Sequence, residues 1–263
     1  MITTSGAGGT RARTLAGAAA VVAAAVAIAS CGGTGKAAGT DAPTAPTSAT
    51  ADSTPAPSAT SLQDRFVAVI GRVSPAVVEI RTDAGLGSGV VFDGRGDVVT
   101  NAHVVAGART ATVRLHDGHR VRTSLVGVSR NDDLAVIRMA GASPSPARFA
   151  DSTGVRVGDL AIAIGNPLGL ASSVTQGIVS SVGRQVSEGN GVTLESAIQT
   201  SADINPGNSG GALVDLDGAV IGIPTLTALD PDLGGAQAPG IGFAIDSNHV
   251  TQVAKQIIAS HGG

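Results

Sequence analysis

From residue 62 onward, apolar side chains come in short Val- and Ile-rich runs separated by turn residues, without the long 3.6-residue periods of a helical protein. Runs at 76–81, 89–92, 98–100, 110–115, 120–128 and 134–138 are punctuated by Asp93-Gly94, Arg95-Gly96 and Asp117-Gly118, pairs suited to tight turns. A second set follows at 160–164, 172–182, 196–199, 211–214, 219–223 and 242–244, with Asp217-Gly218 turning between two of them. Two stretches differ. Residues 62–70 have the spacing of a short helix, stopped near Ser74-Pro75 because a proline pushes the residue before it out of the helical region. Residues 248–260 put Val250, Val253, Ile257 and Ile258 roughly on one face, which predicts a closing helix. About a dozen short strands with a short C-terminal helix predict an all-β fold, either a sandwich or a pair of barrels.

The chain before residue 62 has another texture. Arg11 and Arg13 precede an apolar run, 15–29, that ends in small residues at Ser30-Cys31-Gly32. A basic start, a short apolar stretch and small residues at its end form an export signal, here assigned to residues 1–30. The run falls short of the roughly 20 residues a membrane-spanning helix needs. Ile28-Ala29-Ser30-Cys31 resembles a bacterial lipobox, in which the cysteine is acylated and becomes the mature N-terminus. Cleavage after Ala27-Ile28-Ala29, leading to plain secretion, is the alternative. The lipoprotein reading is preferred because the single cysteine stands at the required place, and it anchors the protein to a membrane through Cys31. Residues 31–61 are mostly Gly, Ala, Thr, Ser, Pro and Asp. They bury too little surface to offset the entropy of ordering, so a disordered tether is expected.

Composition narrows the chemistry. The chain has 263 residues with four Phe and no Tyr or Trp, so its core must be built from Val, Ile, Leu and Ala. The same shortage removes the stacking platforms that single-stranded nucleic acid requires. Net charge is −3, and removal of residues 1–30, which hold two arginines and no acid, makes the remainder more acidic still. Such a chain has no electrostatic attraction to phosphate backbones, and no nucleic-acid partner is expected. With one cysteine, no internal disulfide can form.

Three segments carry candidate chemistry. Thr100-Asn-Ala-His103-Val-Val places a histidine at a strand end. Asp132-Asp133-Leu-Ala-Val-Ile137 places a carboxylate just before another strand. Asn205-Pro-Gly207-Asn208-Ser209-Gly210-Gly211 wraps a serine in glycines. A serine hydroxyl is a poor nucleophile until a base accepts its proton, and imidazole titrates near enough to neutrality to do so. A buried carboxylate fixes the histidine tautomer and stabilises the imidazolium formed during attack. Glycines around the serine let backbone N–H groups converge on a developing oxyanion. The candidate oxyanion loop is Gly207, Asn208 and Ser209, with the N–H groups of Gly207 and Ser209 as donors. Each segment alone is unspecific; together, in the order His, Asp, Ser, they point to a serine-type hydrolase.

On these residues the sequence resembles the HtrA/Deg group of trypsin-fold serine proteases. Thr100-Asn-Ala-His103-Val-Val, Asp133-Leu-Ala-Val-Ile and Asn205-Pro-Gly-Asn-Ser-Gly-Gly-Ala-Leu213 match its three motifs. Gly87-Ser-Gly89-Val-Val, Ile164-Gly-Asn-Pro-Leu-Gly169, Gln176-Gly-Ile-Val-Ser180 and Gly242-Phe-Ala-Ile245 match as well. The resemblance covers about residue 62 to the C-terminus. It implies a trypsin-like double six-stranded β-barrel, about 62–150 and 151–263, with the triad in the cleft between barrels. It also implies cleavage of unfolded polypeptides without metal or cofactor. Members of the group usually carry PDZ domains after the protease, and none is expected within these residues. The group commonly trimerises through N-terminal aromatic contacts. Only Phe66 stands in that region, which leaves the oligomeric state open.

Asp203, six residues before Ser209, corresponds to the base of the primary specificity pocket in trypsin-like enzymes. A carboxylate there could pair with a substrate arginine or lysine. In the preferred reading Asp203 turns aside to accept hydrogen bonds from loop N–H groups. Ile204 and Ile221-Gly222-Ile223 then shape an apolar pocket, in keeping with the group's preference for small aliphatic residues before the cleaved bond.

Rival readings are weaker. Gly207-Asn-Ser209-Gly-Gly211 also fits the G-x-S-x-G pattern of α/β-hydrolases, but strand, turn and strand follow instead of a helix. Gly85-Leu-Gly87-Ser-Gly89 precedes a strand, which excludes a nucleotide loop. His116 and His119 read as a solvated turn, His249 and His261 as solvent-facing, and Asp132 as a neighbour of no consequence. A protease-fold binding or chaperone-like protein with little turnover is the alternative function.

Overall fold

The computed structural model describes residues 59–141, 144–166, 173–187, 193–205, 207–230 and 236–261. The expected export signal and Cys31 lie outside these residues, as does nearly all of the expected tether. Among the described residues no helix is long and apolar enough to cross a membrane.

Helix α1 (Ala59–Val73) is longer than the sequence pattern suggests by a turn at each end, and it begins inside the expected tether. It stops where expected: Ser74–Ala76 tighten into a 3-10 turn with Pro75 in its first turn. Val69 and Val73 are buried, with Phe66 and Ile70 packed beside them. The polar face is tied down by Arg65, 3.0 Å from the Asp217 carboxylate, and by Arg72, which donates to the Asp217 carbonyl at 3.2 Å.

Six strands then close a barrel: β1 (Val77–Thr82), β2 (Leu86–Val91), β3 (Asp97–Asn101), β4 (Ala111–Arg114), β5 (Arg120–Ser129) and β6 (Leu134–Met139). The order is β1-β2-β3-β6-β5-β4, with β4 returning to pair with β1. A second barrel repeats this with β7 (Leu160–Gly165), β8 (Ser173–Ser187), β9 (Thr193–Thr200), β10 (Ala212–Val214), β11 (Val220–Asp230) and β12 (Ala236–Asp246), ordered β10-β11-β12-β9-β8-β7. Of the two all-β architectures the pattern allows, the structure is the barrel pair.

Strand sequences explain where the cores sit. Successive side chains of a strand point to opposite faces, and a strand buried on both faces reads as an unbroken apolar run. In β6, Ala135, Ile137 and Met139 fill the first barrel, while Leu134 and Val136 face the core shared with the second. Val78 and Val77 divide likewise in β1. The shared core takes Ile162, Ile164, Val214, Ile223 and Ile245 from the second barrel. Helix α3 (Ser247–His261) adds Val250, Val253, Ala254, Ile257 and Ile258 to the same core. It packs against β5 and β6 of the first barrel as well as β11 and β12 of the second.

Strands β8, β11 and β12 run past the expected ends at 182, 223 and 242. Their extra residues extend two ribbons, β8 with β9, as in Val186 with Leu194, and β11 with β12, as in Asp230 with Ala236. Those segments gain strand geometry from a partner, so no strong apolar alternation announces them.

Candidate active site

The histidine stands on a single helical turn, α2 (Ala102–Val105), directly after β3. A turn this short leaves its first N–H groups without internal partners. Asp133, at the entrance to β6, supplies them. Its carbonyl accepts Ala102 N–H at 3.0 Å and the Asn101 side-chain amide at 3.1 Å, and its carboxylate accepts His103 N–H at 3.0 Å. The same carboxylate holds the ring, with His103 Nδ1 2.9 Å from Oδ2 and 3.1 Å from Oδ1. Asp133 therefore fixes both the backbone and the imidazole of His103. Its side chain is buried, while that of His103 is half exposed, so the ring can reach a substrate.

Asp133 holds this position at a φ of 47°, and among the described residues it is the only non-glycine at positive φ. A left-handed residue costs roughly 1–3 kcal/mol and persists only where its surroundings over-determine it. A third donor helps: Thr225 Oγ1 lies 2.6 Å from Asp133 Oδ2. Sequence reasoning missed Thr225, and nothing in its local sequence marks it. A hydrogen bond to a charged group is worth roughly 1.5–3 kcal/mol. Thr225→Val is therefore expected to lower kcat roughly ten- to hundred-fold, and Thr225→Ser to restore it. Steady-state peptide hydrolysis by the two variants checks this.

Ser209 is partly buried, and its Oγ donates to the Thr225 carbonyl at 3.3 Å. Its loop is docked on the first barrel by Ser88 of β2, the centre of the Gly87-Ser-Gly89 motif. Ser88 N–H donates to the Ser209 carbonyl at 3.0 Å, its hydroxyl donates to the Gly207 carbonyl, and the same hydroxyl accepts Asn166 N–H at 2.8 Å. Such docking needs glycine at Gly210, where φ is +79° and a Cβ would collide with the Ser88 carbonyl oxygen. Within the first barrel, glycine is needed at Gly87 as well, where a Cβ would come within 2.6 Å of Val104 on α2. Gly210 thus permits contact between barrels as much as it frees the chain.

Asn208, in the middle of the candidate oxyanion loop, braces it. Its N–H is already given to the Asn205 carbonyl at 3.1 Å, its Oδ1 accepts Asn205 N–H at 3.0 Å, and its Nδ2 donates to the Asp203 carbonyl at 3.1 Å. Gly210 and Gly211 N–H groups are likewise engaged, by the carbonyls of Pro224 and Asn208. Among the described residues, the N–H groups of Gly207 and Ser209 find no acceptor, and Gly207 holds a φ of 110°.

The specificity residues also need correction. Asp203 is exposed, so no buried carboxylate has to be compensated, and its backbone carbonyl rather than its side chain receives the loop hydrogen bonds. Ile204, Ile221 and Ile223 are buried in the cores, and Gly222 lies flat against the Ile245 carbonyl. At 221–223, β11 is sealed between β10 and β12. Its stretch beside Ser209 is Pro224-Thr225, which carries the bonds to Gly210 and Ser209.

Of the other histidines, His119 behaves as expected. It is exposed on its turn, and the hydrogen bond its ring donates to the Asp117 carboxylate raises its pKa above the ordinary histidine value. His249 does not face solvent freely: its Nε2 lies 2.7 Å from Asp132 Oδ1.

Residues 87–223 match the family model of the trypsin-like peptidase domain. A probable periplasmic serine protease do/HhoA-like of Haemophilus influenzae is 44% identical over 197 residues, 74% of this chain and 41% of that protein. The periplasmic serine endoprotease DegP of Escherichia coli K12 is 48% identical over 175 residues, 66% of this chain and 36% of that protein. Among solved structures, HtrA-type protease AlgW with tripeptide aligns with a TM-score of 0.66 and 42% identity, over 75% of this chain and 64% of that one. The chain spans less than half the length of these curated relatives. Paired six-stranded barrels, a histidine–aspartate pair linked through Thr225 to a glycine-wrapped serine, and this level of identity lead to one assignment: the chain belongs to the trypsin-like peptidase family, among the homologues of HtrA and DegP.

Proposed function

We propose that this chain is an exported serine endopeptidase acting on unfolded polypeptides, with Ser209 as nucleophile, His103 as general base and Asp133 as its partner. The observation that carries the proposal is the clamp of Asp133 on the backbone N–H and Nδ1 of His103, a geometry that assigns the base role to Nε2. Ser209 Oγ would exchange its long bond to the Thr225 carbonyl for one to His103 Nε2 and attack the scissile carbonyl as Nε2 takes the proton. The unengaged N–H groups of Gly207 and Ser209 would receive the oxyanion. Collapse of the tetrahedral adduct would pass the proton from Nε2 to the leaving amine and leave an acyl-enzyme, which water would hydrolyse by the same base.

The test is digestion of casein by residues 59–263, compared with Ser209→Ala, together with labelling by a fluorophosphonate. An enzyme reacts at Ser209. A chaperone-like binding protein would bind casein, remain unlabelled and leave casein intact. For specificity, small aliphatic preference over basic is retained because the loop around Asp203 follows the HtrA pattern. Among peptides differing only in Val, Ala, Arg or Lys before the cleaved bond, Val and Ala are expected to be cleaved fastest. Faster cleavage after Arg or Lys, abolished by Asp203→Ala, would reverse the assignment.

Export is supported by the basic-apolar leader of residues 1–30 and by the periplasmic relatives. We place the protein outside the cytoplasm, held to the membrane by a lipid on Cys31.

A further inference from the structure

Asp132, next to the candidate catalytic aspartate, is held from two sides. Ser129 Oγ donates to its Oδ2, and His249 Nε2 lies 2.7 Å from its Oδ1. His249 projects from the first turn of α3, a rigid platform. The Asp246 carboxylate caps that turn, accepting the N–H groups of Asn248 and His249 at 3.1 Å each, and Ser152 Oγ holds the cap at 2.7 Å. Beyond the cap, five apolar residues of α3 are buried in the shared core.

The segment so gripped needs support. Asp133 sits at a φ of 47°, and its own N–H makes only a long bond, 3.3 Å, to the Arg130 carbonyl. Glu195 is the other acid beside the pair, where a cavity of about 30 Å³ has room for about one water. Its Oε2 accepts a hydrogen bond from Gln185 Nε2 at 2.8 Å, whereas His249 Nε2 is bonded to Asp132. We infer that the Asp132–His249 hydrogen bond makes both positioning residues for Asp133, so that the C-terminal helix sets the orientation of the His103 imidazole. This rests on the proposed role of the His103–Asp133 pair.

His249→Ala is expected to lower kcat roughly five- to thirty-fold with KM unchanged, the effect of removing one hydrogen bond that acts through Asp133. His249→Gln, which keeps a donor, restores most of it. Asp132→Ala matches His249→Ala, the double variant is no worse than either, and Asp132→Asn, which keeps the acceptor oxygen, stays near wild type. The second readout is the low-field proton resonance of His103 Nδ1–H, which should shift in His249→Ala and return in His249→Gln. Wild-type kcat and an unmoved resonance in His249→Ala, even with a lowered Tm, would overturn the inference and leave a purely structural contact. The resonance needs no turnover. A wild-type protein that fails to cleave casein would therefore count against the proposed function while this test still gives its answer.

Discussion

Ser209→Ala is expected to lower kcat by roughly four to six orders of magnitude without unfolding the protein. The fold should survive because Ser209 Oγ makes one long bond, 3.3 Å, to the Thr225 carbonyl, while the loop is held by backbone and by Ser88. His103→Ala should fall in the same range, since a half-exposed ring contributes little to the core. Asp133→Asn is expected to cost roughly four orders: with its oxygen kept by the His103 N–H, the asparagine would turn its NH2 to the ring as donor, which favours the wrong tautomer. Asparagine tolerates the left-handed backbone at this position, so the loss would be chemical more than conformational. Peptide hydrolysis and fluorophosphonate labelling measure all three. Substantial proteolysis by pure Ser209→Ala protein would sink the mechanism.

Gly210→Ala is expected to damage stability and activity together. Alanine at a φ of +79° costs roughly 1–2 kcal/mol for the left-handed backbone. Its Cβ would also be driven into the Ser88 carbonyl oxygen and to 2.5 Å from Thr100 Oγ1. Both belong to paired strands that cannot retreat cheaply, which adds roughly 1–3 kcal/mol. Tm should fall by roughly 5–15 °C. The loop would relieve the clash by lifting from the first barrel and carrying Ser209 away from His103, and a displacement near 1 Å costs roughly a hundred-fold in rate. Calorimetry with hydrolysis assayed well below the new Tm separates the two losses. Gly94→Ala is the control: nothing lies within 4 Å of its Cβ position, and neither quantity should change.

How these residues came to be readable differs from one to the next. His103, Asp133 and Ser209 each sit in a short local pattern, because each lies at a strand end or on a turn whose backbone demands particular neighbours. The apolar run Leu134–Ile137 likewise announces a strand buried on both faces, since alternation disappears when neither face meets water. Helix α3 was legible because one face is buried and the other is wet. Patterns of this kind record burial and backbone geometry, which are properties of a segment.

Contacts between segments are different, because they follow from the register at which the barrels close. Thr225 reaches Asp133 across 92 positions of sequence, and His249 reaches Asp132 across 117. Both are ordinary polar residues in their local settings. The positive φ of Asp133, the engaged N–H of Asn208 and the burial of Ile221 and Ile223 belong to the same class. Each depends on which strand lies alongside and on which hydrogen-bonding group meets it there. Motif order and burial pattern were therefore written along the chain, whereas the orientation of the reacting groups arose only where the two barrels and the last helix pack together.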